Sequence, residues 1–311
     1  VFLDPTPNAP ARPVARKQIV GNFDEAEPLK RLLNYSDYLT YDIELADAEL
    51  IESIQPDQPI NPNPSTLLTI QDKLRQKSSL EEAGIPVPDF RRVDDEEDLR
   101  AAGDELGYPL MVKARYGGYD GRGTFHLPDE SSVPEALDQL EGDLMAEAMV
   151  DFDRELSVIA VQGDDETATF PVGENVHEPE ILRQTIVPAR APDATRERAQ
   201  SVAHDVLGEM VGRGAYGIEL FEVDGEILVN EIAPRVHNSG HYTIEGAVTS
   251  QFEQHVRAVV GYPLGSTKLR DPVVMANVLG DVDSPRTANL LGADAVLETP
   301  GASLHWYGKR E

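Results

Sequence analysis

The chain has 311 residues, enough for two or three domains with a sizeable core, and no cysteine, which excludes disulfides, thiolate catalysis and cysteine-held metal sites. Its 56 acidic against 27 basic residues give a formal charge of −29, a field that repels nucleic acid and anionic membranes. Only seven basic residues are lysine, and 40% of the chain is hydrophobic, so it is expected to be a folded protein of a halophile's salt-rich cytoplasm, where screening removes most of the self-repulsion. No signal peptide is visible, and no apolar run is long enough to span a membrane.

The first 64 residues read as the remainder of a βαβ-type domain. Val1-Phe-Leu3 and Gln18-Ile-Val20 are strand signals, Pro28–Leu33 suits a short helix, and Tyr38–Glu44 reads as a strand ending in an acid. The chain opens on Val1 rather than Met, and it is expected to be a fragment. Pro56-Asp-Gln-Pro59 and Asn61-Pro-Asn-Pro64 mark a boundary. A helix is expected from Ser65, its cap, to Ala83, with Gly84 as the stop. Strands and helices then alternate, which places the chain in the α/β (α+β) class.

Residues 107 to about 265 hold most of the chemistry. Pro109–Ala114 is a buried-type strand carrying Lys113, and a lysine within an apolar strand needs an anion or carboxylate partner. Tyr116-Gly-Gly-Tyr-Asp-Gly-Arg-Gly123 follows, and the strand resumes at Phe125. This is a strand–loop–strand cover whose glycines let backbone N–H groups approach phosphate; it is not a Walker loop. Asp143–Val150 and Arg154–Val161 read as strands, with Thr167–Val172 pairing against the second. Glu174-Asn-Val-His177 reads as a polar turn, Ile181–Val187 as a strand, Asp193–Gly212 as a long helix and Glu245–Gly261 as the closing helix. Residues 266–311 read as a small β-rich end domain of short strands and turns.

The densest stretch is Asn230-Glu-Ile-Ala-Pro-Arg-Val-His-Asn-Ser-Gly-His241, which follows an apolar strand and an Asp224-Gly225 turn. A second apolar strand, Tyr216–Val223, carries Glu219. Two carboxylates on adjacent strands, beside a glycine-rich loop, point to Mg-nucleotide chemistry. A strict two-residue loop at Asp224-Gly225 would turn Glu219 and Glu231 to opposite faces. A three-residue loop, Val223-Asp224-Gly225 with Gly225 left-handed, puts both on one face, and it is the loop expected here.

An ordered set of motifs then carries a family resemblance over nearly the whole chain. It comprises Asp4-Pro-Thr-Pro-Asn8, Gln18-Ile-Val-Gly21, Thr40-Tyr-Asp-Ile-Glu44, Gln71-Asp-Lys73, Gly117–Gly123, Glu155-Leu-Ser-Val-Ile159, Glu174–His177, Asn230–His241, Glu245-Gly-Ala247, Ser250-Gln-Phe-Glu253 and His305-Trp-Tyr-Gly-Lys309. The set resembles the ATP-grasp family of 5-(carboxyamino)imidazole ribonucleotide synthetases. The resemblance implies an ATP-grasp fold (65–265), a truncated Rossmann-like pre-ATP-grasp domain (1–64) and a truncated C-terminal domain (266–311). It also implies a homodimer, and ligation of bicarbonate to 5-aminoimidazole ribonucleotide through carboxyphosphate, using ATP and two Mg²⁺ ions.

Carried over position by position, Lys73 and Lys113 are ATP-phosphate residues. Gly118, Tyr119, Asp120, Gly121, Arg122, Gly123 and Thr124 form the loop over the phosphates. Glu147, Ala148, Met149 and Val150 form the hinge whose backbone reads adenine. Glu155 binds ribose, His177 belongs to the nucleotide site, and Asn230 accompanies the metal ligands Glu219 and Glu231. Arg235, His237 and Lys309 lie near bicarbonate and the ribonucleotide, with Tyr119, Asp120 and Glu44 as further substrate-side positions. Asn238 and Ser239 offer donors nearby, and Arg310 meets the ribotide phosphate. The family's Gly-x-Gly-Gln-Leu-Gly turn and its basic segment after Glu311 are absent, and Thr124 stands where glutamine is usual. Two other readings stay open: formate-dependent glycinamide ribonucleotide formylation, and a non-catalytic ATP-binding module.

Overall fold

The computed structural model describes every residue except 55–56, 118–122, 179–180, 281–288 and 307–311. The chain divides into two compact units, Val1–Asp37 with Asn277–Glu311, and Tyr38–Ala276. In the first unit strands β1 (Phe2–Asp4) and β2 (Gln18–Val20) pair in parallel beside helix α1 (Ala26–Leu33).

The second unit starts with α2 (Ala48–Ile54), α3 (Pro64–Gln71) and α4 (Lys73–Glu82). The strand expected over Tyr38–Glu44 is not formed; only Leu39 makes a bridge, to Ile60. Nor is the helix from Ser65 to Ala83 continuous. Asn63 caps its first half, with Pro64 at the first position, and Asp72 leaves the helical region at φ −99°, ψ 104°. Asp72 then caps the second half by accepting the N–H groups of Leu74 and Arg75. Arg115 and the Tyr116 hydroxyl also bind its carboxylate, so the break is fixed from both sides.

Next come β3 (Phe90–Val93), α5 (Glu96–Leu106), β4 (Leu110–Ala114), β5 (Thr124–Leu127), α6 (Val133–Gln139) and β6 (Leu144–Ala148). The four strands form an antiparallel sheet in the order β3-β6-β4-β5. Leu99 and Ala102 of α5 and Val133 and Ala136 of α6 cover one face, against Val112, Leu127 and Ala146. Three acids in the first turn of α5 and the Asp95 cap favour its N-terminus, and Gly107 at φ +84° ends it.

The larger sheet contains β7 (Arg154–Gln162), β8 (Thr167–Thr169), β9 (Gly173–His177), β10 (Leu182–Val187), β11 (Gly214–Val223), β12 (Glu226–Ala233) and β13 (Val273–Ala276). Its order is β12-β11-β7-β9-β10-β13, with β8 against β7. Helix α7 (Asp193–Glu209) packs Ala199, Val202 and Val206 against Leu156, Val158, Ile218 and Leu220. Glu174–His177, expected as a turn, lies in β9, where its backbone groups pair with both neighbours. The closing helix is also two pieces, α8 (Thr243–Gly246) and α9 (Gln251–Val260). Ala247 leaves the helix to bridge Leu269, and Ser250 caps α9 through the Glu253 N–H. Beyond β13, the described residues carry one short helix, α10 (Ala293–Leu297), and none of the expected further strands. Among the described residues no helix is long and apolar enough to cross a membrane.

Candidate active site

The β11–β12 hairpin contradicts the expected loop yet delivers the expected face. Val223 pairs with Glu226, so the loop has two residues, and both take left-handed backbone, Asp224 at φ 51° and Gly225 at φ 80°. The ladder runs regularly to Leu220–Val229, then shifts, and Glu219 stands directly opposite Glu231. Asn230 is therefore an extra residue in a bulge, and the bulge, not the loop, corrects the parity. Burial first, and the neighbouring Glu231 charge second, push the Glu219 carboxyl up to about 7. Burial also works against Glu231, but Lys73 reaches it at 2.6 Å and holds its carboxyl below the usual range.

Lys73 is the first residue of α4, and Lys77 lies one turn on, along the same helix face. The Lys77 ammonium donates to the Val229 carbonyl at 2.9 Å and meets Glu147 Oε1 at 2.6 Å. Lys113 on β4 binds the other oxygen of Glu147. Lys77 and Glu147 are only 3% exposed, and the two lysines overcome burial to bring the Glu147 carboxyl down to about 2. Lys73, Lys77, Lys113, Glu147, Asn230 and Glu231 line one small cavity between the two sheets. Lys77 was not among the expected site residues. Its spacing of four from Lys73, in a chain with seven lysines, was the available signal.

The Glu147 side chain is thus a counter-ion inside β6, while Ala148, Met149 and Val150 carry the chain out of the strand and line a second cavity with Gly107 to Pro109. On β7 and β9, Glu155 Oε2 and His177 Nδ1 are 2.6 Å apart. Burial opposes a charge on His177, but the Glu155 bond outweighs it and raises the imidazole's pKa. Gly123 accepts the Ala114 N–H with its carbonyl, and Thr124 pairs with Lys113. Gly118, Tyr119, Asp120, Gly121, Arg122, Lys309 and Arg310 lie outside the described residues.

After β12 the chain doubles back under its own sheet. His237 Nε2 lies 3.7 Å from Glu219, and its Nδ1 is 2.8 Å from the Ser239 hydroxyl. Gln251 clamps the His237 backbone, accepting its N–H at 3.0 Å and donating to its carbonyl at 2.7 Å. Gly217 makes room: a Cβ there would lie 2.5 Å from His237 Cβ. Burial, then the Arg235 charge, lower the His237 pKa to about 4, so the imidazole is neutral near pH 7. Ser239 is fully buried and serves His237; Asn238 is half-buried on the same turn. Arg235 reaches Glu44 at 3.0 Å, and burial raises the Glu44 carboxyl despite that arginine.

The facing carboxylates Glu219 and Glu231 fit a divalent cation. No group of three or more His, Asp or Glu ligands occurs among the described residues. A magnesium ion carried in by a nucleotide needs only one or two carboxylates, because phosphates and water complete its shell. A raised Glu219 beside an ionised Glu231 is a pair that a cation would relieve.

Comparison with known proteins gives the same outline. Residues 78–252 match the ATP-grasp domain, residues 1–71 the ribonucleotide synthetase preATP-grasp domain, and residues 273–311 the phosphoribosylaminoimidazole carboxylase C-terminal domain. A Bacillus subtilis protein named N5-carboxyaminoimidazole ribonucleotide synthase is 38% identical, over 99% of this chain and 80% of its own. A Schizosaccharomyces pombe phosphoribosylaminoimidazole carboxylase is 37% identical, and this chain spans 58% of it. A solved carboxyaminoimidazole ribonucleotide synthase from Aspergillus clavatus, complexed with ATP, superposes with a TM-score of 0.92 at 36% identity, over 99% of this chain and 82% of that one. Another structure from that organism, with ADP and 5-aminoimidazole ribonucleotide, gives 0.89 at 34% identity, over 99% and 83%. By this similarity along its length, the chain belongs to the N5-carboxyaminoimidazole ribonucleotide synthase family of ATP-grasp proteins.

Proposed function

We propose that the protein joins bicarbonate to the amine of 5-aminoimidazole ribonucleotide, using ATP and forming carboxyphosphate, ADP and phosphate, in purine biosynthesis. The observation that carries this reading is the Glu219–Glu231 pair made by the bulge, facing the lysines of α4 and β4. Phosphoryl transfer needs positioning and charge neutralisation more than covalent help, and this cleft offers both.

In this reading Lys73 and Lys113 meet the phosphates, and backbone groups from Ala148 to Val150 meet adenine. The Glu155–His177 pair accepts and donates to ribose hydroxyls. Mg²⁺, held by Glu219 and Glu231 with Asn230 alongside, would neutralise charge on the transferring phosphoryl group. Arg235 lies beside this centre and offers a guanidinium to the bicarbonate carboxylate, with Glu44 fixing its direction. His237, neutral and locked by Ser239 and Gln251, supplies an uncharged imidazole edge next to Glu219. Residues 1–64, 65–265 and 266–311 act as three domains of a cytoplasmic homodimer, and the acidic surface suits a halophile's cytoplasm.

The test is ADP release by the full-length protein in high salt with Mg-ATP, adding the amine and bicarbonate separately and together. Release that requires both supports the reading. Release triggered by formate with a different amine, or ATP binding without any turnover, overturns it.

A further inference from the structure

The buried cluster on the inner wall of the cleft holds two lysines and one carboxylate. Glu147 is buried, so its charge must be balanced on the spot. Were Lys113 its sole partner, that ion pair would be neutral, and the ammonium would have nothing left for an anion. Lys77 changes the count. It comes from another element, α4, is as buried as Glu147, and takes one carboxylate oxygen while Lys113 takes the other. One unit of positive charge remains, and it sits at the cleft, where the Lys113 side chain is 18% exposed and that of Lys77 only 4%.

We infer that Lys77 is a positioning residue for anion binding: it serves as the resident counter-ion of Glu147 and so frees the charge of Lys113 for a nucleotide phosphate. Its bond to the Val229 carbonyl also ties the smaller sheet to the strand just before the Asn230 bulge, which fixes the lysines of one wall against the carboxylates of the other. The inference rests on the nucleotide reading of the cleft.

Charge counting supplies the test. Lys77→Met leaves the cluster neutral, whereas Lys77→Met with Glu147→Gln restores one net positive charge without Lys77. Binding of ATP and of adenosine would be measured by calorimetry on the full protein, with melting curves as the control for folding. Lys77→Met should weaken ATP about tenfold, the effect of losing one charge beside phosphate, and leave adenosine unchanged. The double variant should recover ATP binding to within about threefold of wild type. Should Lys77→Met fail to fold, the double variant, which removes the fully buried Glu147 charge and keeps only the partly exposed Lys113 ammonium, decides the matter. Unchanged ATP affinity in Lys77→Met, or a folded double variant that binds ATP tenfold or more weakly, would overturn the role of Lys77. Wild-type protein that binds neither ligand would overturn the nucleotide reading, and the inference with it.

Discussion

Gly217→Ala separates the geometry of the site from the stability of the fold. Gly217 lies in β11, two residues before Glu219, and the ring of His237 rests against its Cα. An added Cβ would sit 2.5 Å from both Cβ and Cγ of His237 and 3.1 Å from Cδ2. Carbon atoms pack at roughly 3.5–4.0 Å, so the imidazole must withdraw by about 1 Å. It has little freedom to do so, with Gln251 holding its backbone and Ser239 its Nδ1. Overpacking of this kind costs about 1–3 kcal/mol, partly offset by about 0.4–1 kcal/mol from a stiffer unfolded chain. A displacement of about 1 Å at a reacting centre can lower turnover about a hundredfold. The expected result is a folded protein, slightly less stable, with ADP release down by about that factor. Gly208→Ala is the control, because a Cβ there meets nothing within 4 Å; it should leave turnover unchanged and raise the melting temperature slightly. Wild-type turnover in Gly217→Ala would refute the placement of His237 in the machinery.

Further outcomes follow from the same geometry. Glu231→Gln should abolish Mg-dependent turnover by several orders of magnitude with the fold intact, and unchanged activity would remove Glu231 from the metal role. Lys113→Met should raise the KM for ATP while leaving that for bicarbonate unchanged; normal ATP dependence would make Lys113 structural. His255 is buried, with its Nδ1 accepting the Ala215 N–H at 3.0 Å and its Nε2 bonded to Thr40, and burial lowers its pKa from 6.5 to about 4. Below pH 6.5 the unfolded chain takes up the proton that the folded chain refuses, so this stabilisation is full above 6.5 and lost as pH falls towards 4. The stability gap between wild type and His255→Gln should shrink by roughly 3 kcal/mol across that window at fixed salt, as read by denaturant unfolding. A constant gap would show that His255 does not titrate in this way.

The sequence disclosed the types of residue in the site better than the turns of chain that bring them together. Glu219 and Glu231 were expected on one face, and they are, but through a bulge at Asn230 that alternation alone does not reveal. The hairpin took the two-residue loop because Asp224 and Gly225 both tolerate left-handed backbone. Asp72 hid within a helical run, because what breaks the helix there is its grip on Arg115 and Tyr116, 43 and 44 residues away, which the local sequence does not show. Similarly, Glu174–His177 is polar enough for a turn, yet its neighbours' hydrogen bonds draw it into β9. Lys77 was missed because its partner Glu147 lies in another element, and the partner defines its role.

In the proposed reaction a bicarbonate oxygen attacks the terminal phosphate of ATP in the cleft between the lysines and the Glu219–Glu231 pair. This step is tested most directly by turnover with bicarbonate labelled throughout with heavy oxygen, followed by mass analysis of the released phosphate. Passage through carboxyphosphate transfers one labelled oxygen to each phosphate formed, in proportion to the ribonucleotide product, and Glu231→Gln abolishes the transfer. Phosphate that forms alongside product but carries only oxygen from ATP and water would contradict the account.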